Sequence, residues 1–344
     1  MSQLGPPWSR PLRGTLDEHV IESSALRGNA LGDPAARPLW VYSPPGAARQ
    51  TPLPVIYLIQ GFTGQVDMWR NRSWHRPNVI ELLDALFSEG SAPPPCRVAM
   101  VDCWTSLGGS QFLDSPGTGR YHTYLCEEVV GFLDSTYGTL AHRDHRALTG
   151  KSSGGYGAMV TPMLRPDVFG ALATHAGDTL FELCYWKDVP DVVRALRARY
   201  GGSFERYLAE RGTRPVMSDP ADAALLNMWA MAAAYSTDDD GTVRLPFDVG
   251  TGEMDDEVWR RWLAWDPVRM VHDHAEALRS LRAIYIDAGT RDEYFLDLGA
   301  TAFRDALAEI GVTDVFFELF DAGHGAIEYR YPIAWRYLAE RISP

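Results

Sequence analysis

Leu148-Thr-Gly-Lys-Ser-Ser-Gly-Gly-Tyr-Gly157 is the stretch whose reading decides the fold. It reads as the end of a strand, a sharp turn and the start of a helix, with Ser152 at the apex. Gly150 and Gly154 stand two residues before and two after the serine, in the pattern G-x-S-x-G. The apex residue of such a turn is strained, so its flanking glycines must lack a Cβ for strand and helix to pass closely. Gly155 and Gly157 continue a small-residue face along the helix. The first N–H groups of that helix point at any oxyanion formed beside Ser152. The same residues imitate the end of a phosphate-binding loop, G-x-x-x-x-G-K-[ST]. That loop needs a glycine five residues before Gly150, where His145 stands, and no glycine-rich run precedes Lys151 to wrap phosphates, so it is excluded.

Outward from the turn, strand and helix patterns alternate. His19–Ser23 and Leu39–Ser43 are short β-type runs expected to pair antiparallel at one sheet edge. Leu53–Gln60 and Arg97–Asp102 are nearly continuous apolar runs, as strands buried on both faces should be. Asn78–Ser88 and Tyr121–Tyr137 carry helical spacing, and Phe169–His175 is the strand after the Ser152 helix. This alternation implies a parallel sheet with crossover helices. It breaks from Asp178 to Ala277, a helical stretch rich in aromatics, read as a cap inserted over the strand C-termini of a single α/β domain. Most of its aromatics should form the insertion's own core, with a minority lining a pocket. The alternation resumes with the strand Leu281–Asp287, a helix over 295–310, the strand Val315–Phe320 and a closing helix from about Pro332 to Arg341.

A chain of 344 residues can bury a large core, and its 46% hydrophobic and 22% charged residues are ordinary for a globular enzyme. The net charge of −13 argues against nucleic acid and against an anionic membrane surface as partners. Lys151 and Lys187 are the only lysines, a bias read as genome composition. Met1–Arg10 lacks the apolar segment of a signal peptide, and residues 1–14 read as a loosely held arm. No later run has the roughly 18 apolar residues of a membrane span. Cys96, Cys103, Cys126 and Cys184 lack metal-type spacing and read as buried thiols. A reduced, cytoplasmic protein is expected; the oligomeric state is unreadable.

A serine hydroxyl is a weak nucleophile and needs a base, which in turn needs an orienting carboxylate. The last strand runs into Asp321-Ala-Gly-His-Gly325, which places His324 on a loop between two glycines, the expected base. Asp292, in the loop after the strand ending at Asp287, is the expected acid, ahead of Asp287, which reads as a turn cap, and of Glu293. The oxyanion donors should be the backbone N–H of Ser153 and one from Gly61-Phe62-Thr63, preferably Phe62. Asp178, Tyr185, Trp186 and Trp104 are candidate substrate contacts. His175 is expected to line the site. His272 and His274 form His-x-His without a third ligand at suitable spacing, so no metal and no other cofactor is expected.

Taken as an ordered set, Val41-Tyr-Ser-Pro-Pro45, Tyr57-Leu-Ile-Gln-Gly-Phe62, Gly150-Lys-Ser-Ser-Gly-Gly-Tyr-Gly-Ala158, Asp287-Ala-Gly-Thr-Arg-Asp292 and Ala322-Gly-His-Gly325 resemble the esterase D / enterochelin-esterase-like branch of the α/β-hydrolases. The resemblance spans roughly residues 18–177 and 278–342. It implies an eight-stranded sheet, hydrolysis of an ester or thioester through an acyl-enzyme, and Ser152, Asp292 and His324 as triad. Many relatives carry His-Gly where this chain has Gln60-Gly61, and Met where it has Ser153; both positions act through backbone. A small-molecule ester is the expected partner. Acyl transfer to an alcohol would use the same triad, and a binding protein on the same scaffold would fail to take a fluorophosphonate.

Overall fold

The computed structural model describes residues 11–72 and 76–344. The reading of Met1–Arg10 therefore lies outside the described residues. Ten strands are assigned among them: β1 (Thr15–Glu22), β2 (Ala36–Ser43), β3 (Val55–Ile59), β4 (Arg97–Val101), β5 (Asp114–Ser115), β6 (Gly119–Arg120), β7 (Arg146–Ser152), β8 (Ala171–Gly177), β9 (Ala283–Gly289) and β10 (Phe316–Phe320). Eight of them form one sheet in the order β1-β2-β4-β3-β7-β8-β9-β10, and β5 and β6 make a separate two-stranded ribbon. Within the sheet, β1 pairs antiparallel with β2 and β2 with β4, and every further pair is parallel; the β5–β6 ribbon is antiparallel. The strands β3 and β4 are buried along their whole length, which explains their unbroken apolar sequence.

Helices cover both faces. The helix Val79–Ser88 starts at Asn78, whose side chain accepts from Glu81 N while the Glu81 carboxylate accepts from Asn78 N, a reciprocal cap on the free N–H groups. One face is packed by this helix and the closing helix Tyr331–Ile342. The other holds the stretch Tyr121–Tyr137, which includes a π-helical segment at Tyr124–Val129. The helix Ser153–Leu164 is wedged between the sheet and the 178–277 region.

Residues 11–14 depart from the expected loose arm. The N–H groups of Arg13 and Gly14 donate to the Asp84 carboxylate at 2.8–3.1 Å, which also accepts from the Tyr42 hydroxyl at 2.9 Å. A buried carboxylate with three donors ties the segment to the helix below it. From Phe181 to Arg279 the elements are helical, relieved by two isolated β-bridges, Thr237 with Val243 and Phe247 with Met254. The region has its own aromatic centre. Trp262 is fully buried, its ring packs edge-on to Tyr185 and Tyr235, and its indole N–H donates to Ser236 Oγ at 2.8 Å.

Candidate active site

The parallel strands end together, and the loops leaving them build the site. At the end of β7, Ser152 adopts φ 59°, ψ −126°, a conformation that side-chain-bearing residues rarely hold. The neighbouring close approaches explain the glycines. A Cβ at Gly154 would stand 2.6 Å from the carbonyl oxygen of Ile59, and one at Gly61 would stand 3.0 Å from that of Lys151. The loop after β3 thus lies directly against the serine turn.

His324 and Asp292 come from the loops after β10 and β9. His324 Nε2 lies 3.1 Å from Ser152 Oγ, and its Nδ1 lies 2.7 Å from Asp292 Oδ2. The Asp292 carboxylate is buried and also accepts from the N–H of Tyr294 at 2.8 Å. Glu293 takes a different part: its carboxylate accepts from the backbone N–H of His324 at 2.8 Å. The two loops are further joined by Thr290 N–H to Phe320 O at 2.8 Å and Arg291 N–H to Ala322 O at 2.9 Å. Across the cleft, the loop at Gly61–Thr63 is pinned by Thr63 N–H donating to Gly108 O at 2.8 Å. Among the described residues the Phe62 N–H makes no backbone hydrogen bond.

Asp287 does not cap the turn, contrary to the sequence expectation. It is fully buried and accepts from Tyr285 Oη at 2.7 Å and Arg330 Nε at 2.9 Å, with His175 Nδ1 at 2.7 Å. His175 accordingly sits beneath the site against Tyr331 and Tyr285 rather than lining it. This cluster joins β8 and β9 to Arg330, which opens the closing helix, and the His175–Asp287 contact holds the Asp287 carboxyl below its ordinary range against the opposing effect of burial.

A cavity of about 560 Å³ opens over Ser152 and His324. Of the expected substrate contacts, Asp178 and Tyr185 line it; Trp186 packs on Trp259 at 5.2 Å, and Trp104 lies with the 108–112 loop outside it. Beside Tyr185, most of the insertion's share of the wall comes from residues with no aromatic signature, among them Met217, Ala224 and Asn227. Aromatics at helical spacing look alike whether they face a core or a cleft, and here most of them, Tyr185 excepted, face the core.

Asp178 is closer to the chemistry than its sequence position suggested. Its buried carboxyl is 3.0 Å from Ser153 Oγ and 2.9 Å from Tyr185 Oη, and 3.4 Å from both Gln111 Nε2 and Ser152 Oγ. Burial raises its pKa above the ordinary carboxyl value, although these hydrogen bonds oppose the shift. Gln111 and Phe112 both hold positive φ, 52° and 57°, in the loop that aims Gln111 at Asp178, Tyr185 and Tyr235. The cavity also receives both lysines, Lys151 from β7 and Lys187 from the insertion. Among the described residues no cluster of three or more His, Cys, Asp or Glu is arranged to hold a metal, and His272 lies 3.2 Å from Glu309. No helix there is long and apolar enough to cross a membrane. All four cysteines are buried and free.

The eight-stranded sheet with a strained serine at the end of a central strand is that of an α/β-hydrolase. Residues 34–310 match the family model described as putative esterase, and the chain belongs to that family. Similar solved structures include a ferulic acid esterase (18% identity, TM-score 0.61, covering 97% of this chain and 100% of that one). An S-formylglutathione hydrolase from Agrobacterium tumefaciens is similar at 18% identity and TM-score 0.58, covering 97% of this chain and 98% of that one. A fluorophosphonate-binding serine hydrolase of Staphylococcus aureus matches at 14% identity and TM-score 0.56, over 96% of this chain and 99% of that one. At these identities the likeness is one of fold; family membership identifies a carboxylic ester hydrolase of the serine type.

Proposed function

We propose that this chain cleaves a small-molecule carboxylic ester through an acyl-enzyme on Ser152. The reading rests on the His324 ring, which spans Ser152 Oγ at 3.1 Å and Asp292 at 2.7 Å. Ser152 Oγ attacks the ester carbonyl while its proton passes to His324 Nε2. Asp292 holds the Nδ1–H tautomer and stabilises the imidazolium. The carbonyl oxygen becomes an oxyanion received by the backbone N–H groups of Ser153 and Phe62. The alkoxide leaves with the proton from His324, and the same nitrogen then deprotonates the water that releases the acid. A thioester would follow the same path. The Asp178 carboxyl, whose pKa burial raises against the pull of its hydrogen bonds, stands beside Ser152 and Ser153.

The test is fluorophosphonate labelling together with turnover of p-nitrophenyl esters of graded acyl length. The wild type should label and turn over, and Ser152→Ala should lose both, with kcat/KM falling about 10,000-fold or more. A wild type that neither labels nor hydrolyses any ester refutes the reading. Preferential transfer of the acyl group to an added alcohol would redirect it to an acyltransferase.

A further inference from the structure

Two of the chain's 32 basic residues are lysines, and both stand in the wall of the cavity over Ser152. Elsewhere the chain meets every need for positive charge with arginine. Two lysines scattered at random would rarely meet in one cleft, so the composition reading given to them from sequence is incomplete. Lysine differs from arginine physically: it offers a compact point charge with three rotatable donors, where arginine presents a wide planar fork.

The two reach the cavity from different sides. Lys151 precedes the serine on β7 and is in register with His175 of β8, which places it toward the sheet face covered by Tyr331. Lys187 comes from the insertion, with its ammonium 4.9 Å from the centre of the Tyr294 ring, and that ring lies edge-on to His324 at 4.9 Å. Their charges are used differently. Lys187 pairs with Asp188 at 2.8 Å. Lys151 is half-buried and, among the described residues, has neither a hydrogen bond nor an ion pair. Burial pulls its pKa below the ordinary lysine value, opposed by the nearby carboxylates of Glu328, Asp292 and Glu293. Glu293 and Asp292 are engaged with the His324 loop. Glu328 lines the same cavity but makes no ion pair with Lys151, so among the described residues the ammonium at the cavity wall has no close carboxylate of its own.

We propose that Lys151, supported by Lys187, is a specificity residue that receives a carboxylate carried by the substrate, so that the preferred ester is that of a dicarboxylic acid or of a hydroxy acid. This deepens the hydrolase reading and rests on it. The carboxylate lies beyond the scissile bond and takes no part in the bond changes; it forms a charge-assisted hydrogen bond with the Lys151 ammonium.

The experiment compares each anionic ester with a neutral isostere. On the acyl side, the p-nitrophenyl monoester of glutarate is set against p-nitrophenyl isoheptanoate; on the alcohol side, p-acetoxybenzoate is set against p-isopropylphenyl acetate. The ratio of kcat/KM within each pair is read for wild type, Lys151→Met and Lys187→Met. Because both esters are assayed on the same preparation, a partly unfolded variant leaves the ratio intact. For at least one pair the wild-type ratio should favour the anionic ester about tenfold or more, through KM, and Lys151→Met should bring it close to unity. A wild type indifferent to the carboxylate in both pairs, or a Lys151→Met that keeps the wild-type ratio, overturns the proposal while leaving the hydrolase reading intact. Absence of all turnover and of fluorophosphonate labelling overturns both.

Discussion

The strand-end frame and the 178–277 insertion meet at Ser152, yet they are built on opposite principles. The frame fixes its chemistry through backbone: a strained serine, glycines that let chains approach to within a Cβ, and loops stitched carbonyl to amide. The insertion fixes its shape through side-chain bulk, with Trp262, Tyr185, Tyr235 and Phe181 interlocked away from solvent. A frame made of backbone tolerates little change near the reacting atoms. A lobe made of packed rings can exchange its small wall residues without disturbing the strand-end loops. Backbone geometry at the strand ends and the shape of the inserted lobe are thereby set by different kinds of contact.

Three substitutions sharpen or break this contrast. The largest effect belongs to the frame. Asp292→Asn should lower kcat about 10,000-fold, because an amide no longer selects the Nδ1–H tautomer of His324. The thermal midpoint should hardly move, and a calorimetric scan beside the rate assay checks both. Next comes the lobe, with the balance reversed. Trp262→Ala should destabilise the protein by about 3–5 kcal/mol, measured by urea unfolding. On a small acetate ester, below its melting range, the variant should keep its rate within an order of magnitude. If that rate collapses as far as in Asp292→Asn, the two regions are not separable.

The smallest effect lies where the two regions touch. Asp178 holds a raised pKa in the folded protein, so between the unfolded value of about 3.9 and the higher folded value the native state binds more protons than the unfolded state. Its contribution to stability therefore falls as pH rises through that window. Asp178→Asn, uncharged throughout, should flatten the decline by up to one proton's worth of slope, read from unfolding free energies at a series of pH values. A slope equal to that of the wild type would mean that Asp178 is ionised throughout the range.

Backbone-encoded features were the legible ones. The glycine spacing around Ser152 announces the turn, and the glycines flanking His324 announce a loop after a last strand; both lie at strand ends. That Asp292 rather than Asp287 meets His324 follows from its distance past the strand terminus, because a residue still inside β9 points into the sheet, as Asp287 does. What escaped was tertiary. Trp186 and Trp104 are indistinguishable in sequence from pocket residues, while Met217, Ala224 and Asn227, which do line the cavity, bear no mark at all. The lysines were visible as a count, but nothing in the spacing of 151 and 187 says that a strand end and an inserted helix face one cleft.

The stitching between the loops after β9 and β10 has a consequence for motion. Asp292, Glu293 and His324 are cross-linked by hydrogen bonds at 2.7 and 2.8 Å, and Arg330 fastens the end of the His324 loop to Asp287 within β9. Asp292 and His324 are thereby tied into one body, while Ser152 stands at the end of β7, two places from β9 and three from β10 in the sheet. A three-residue apparatus is thus reduced to a single adjustable coordinate, the gap between His324 Nε2 and Ser152 Oγ.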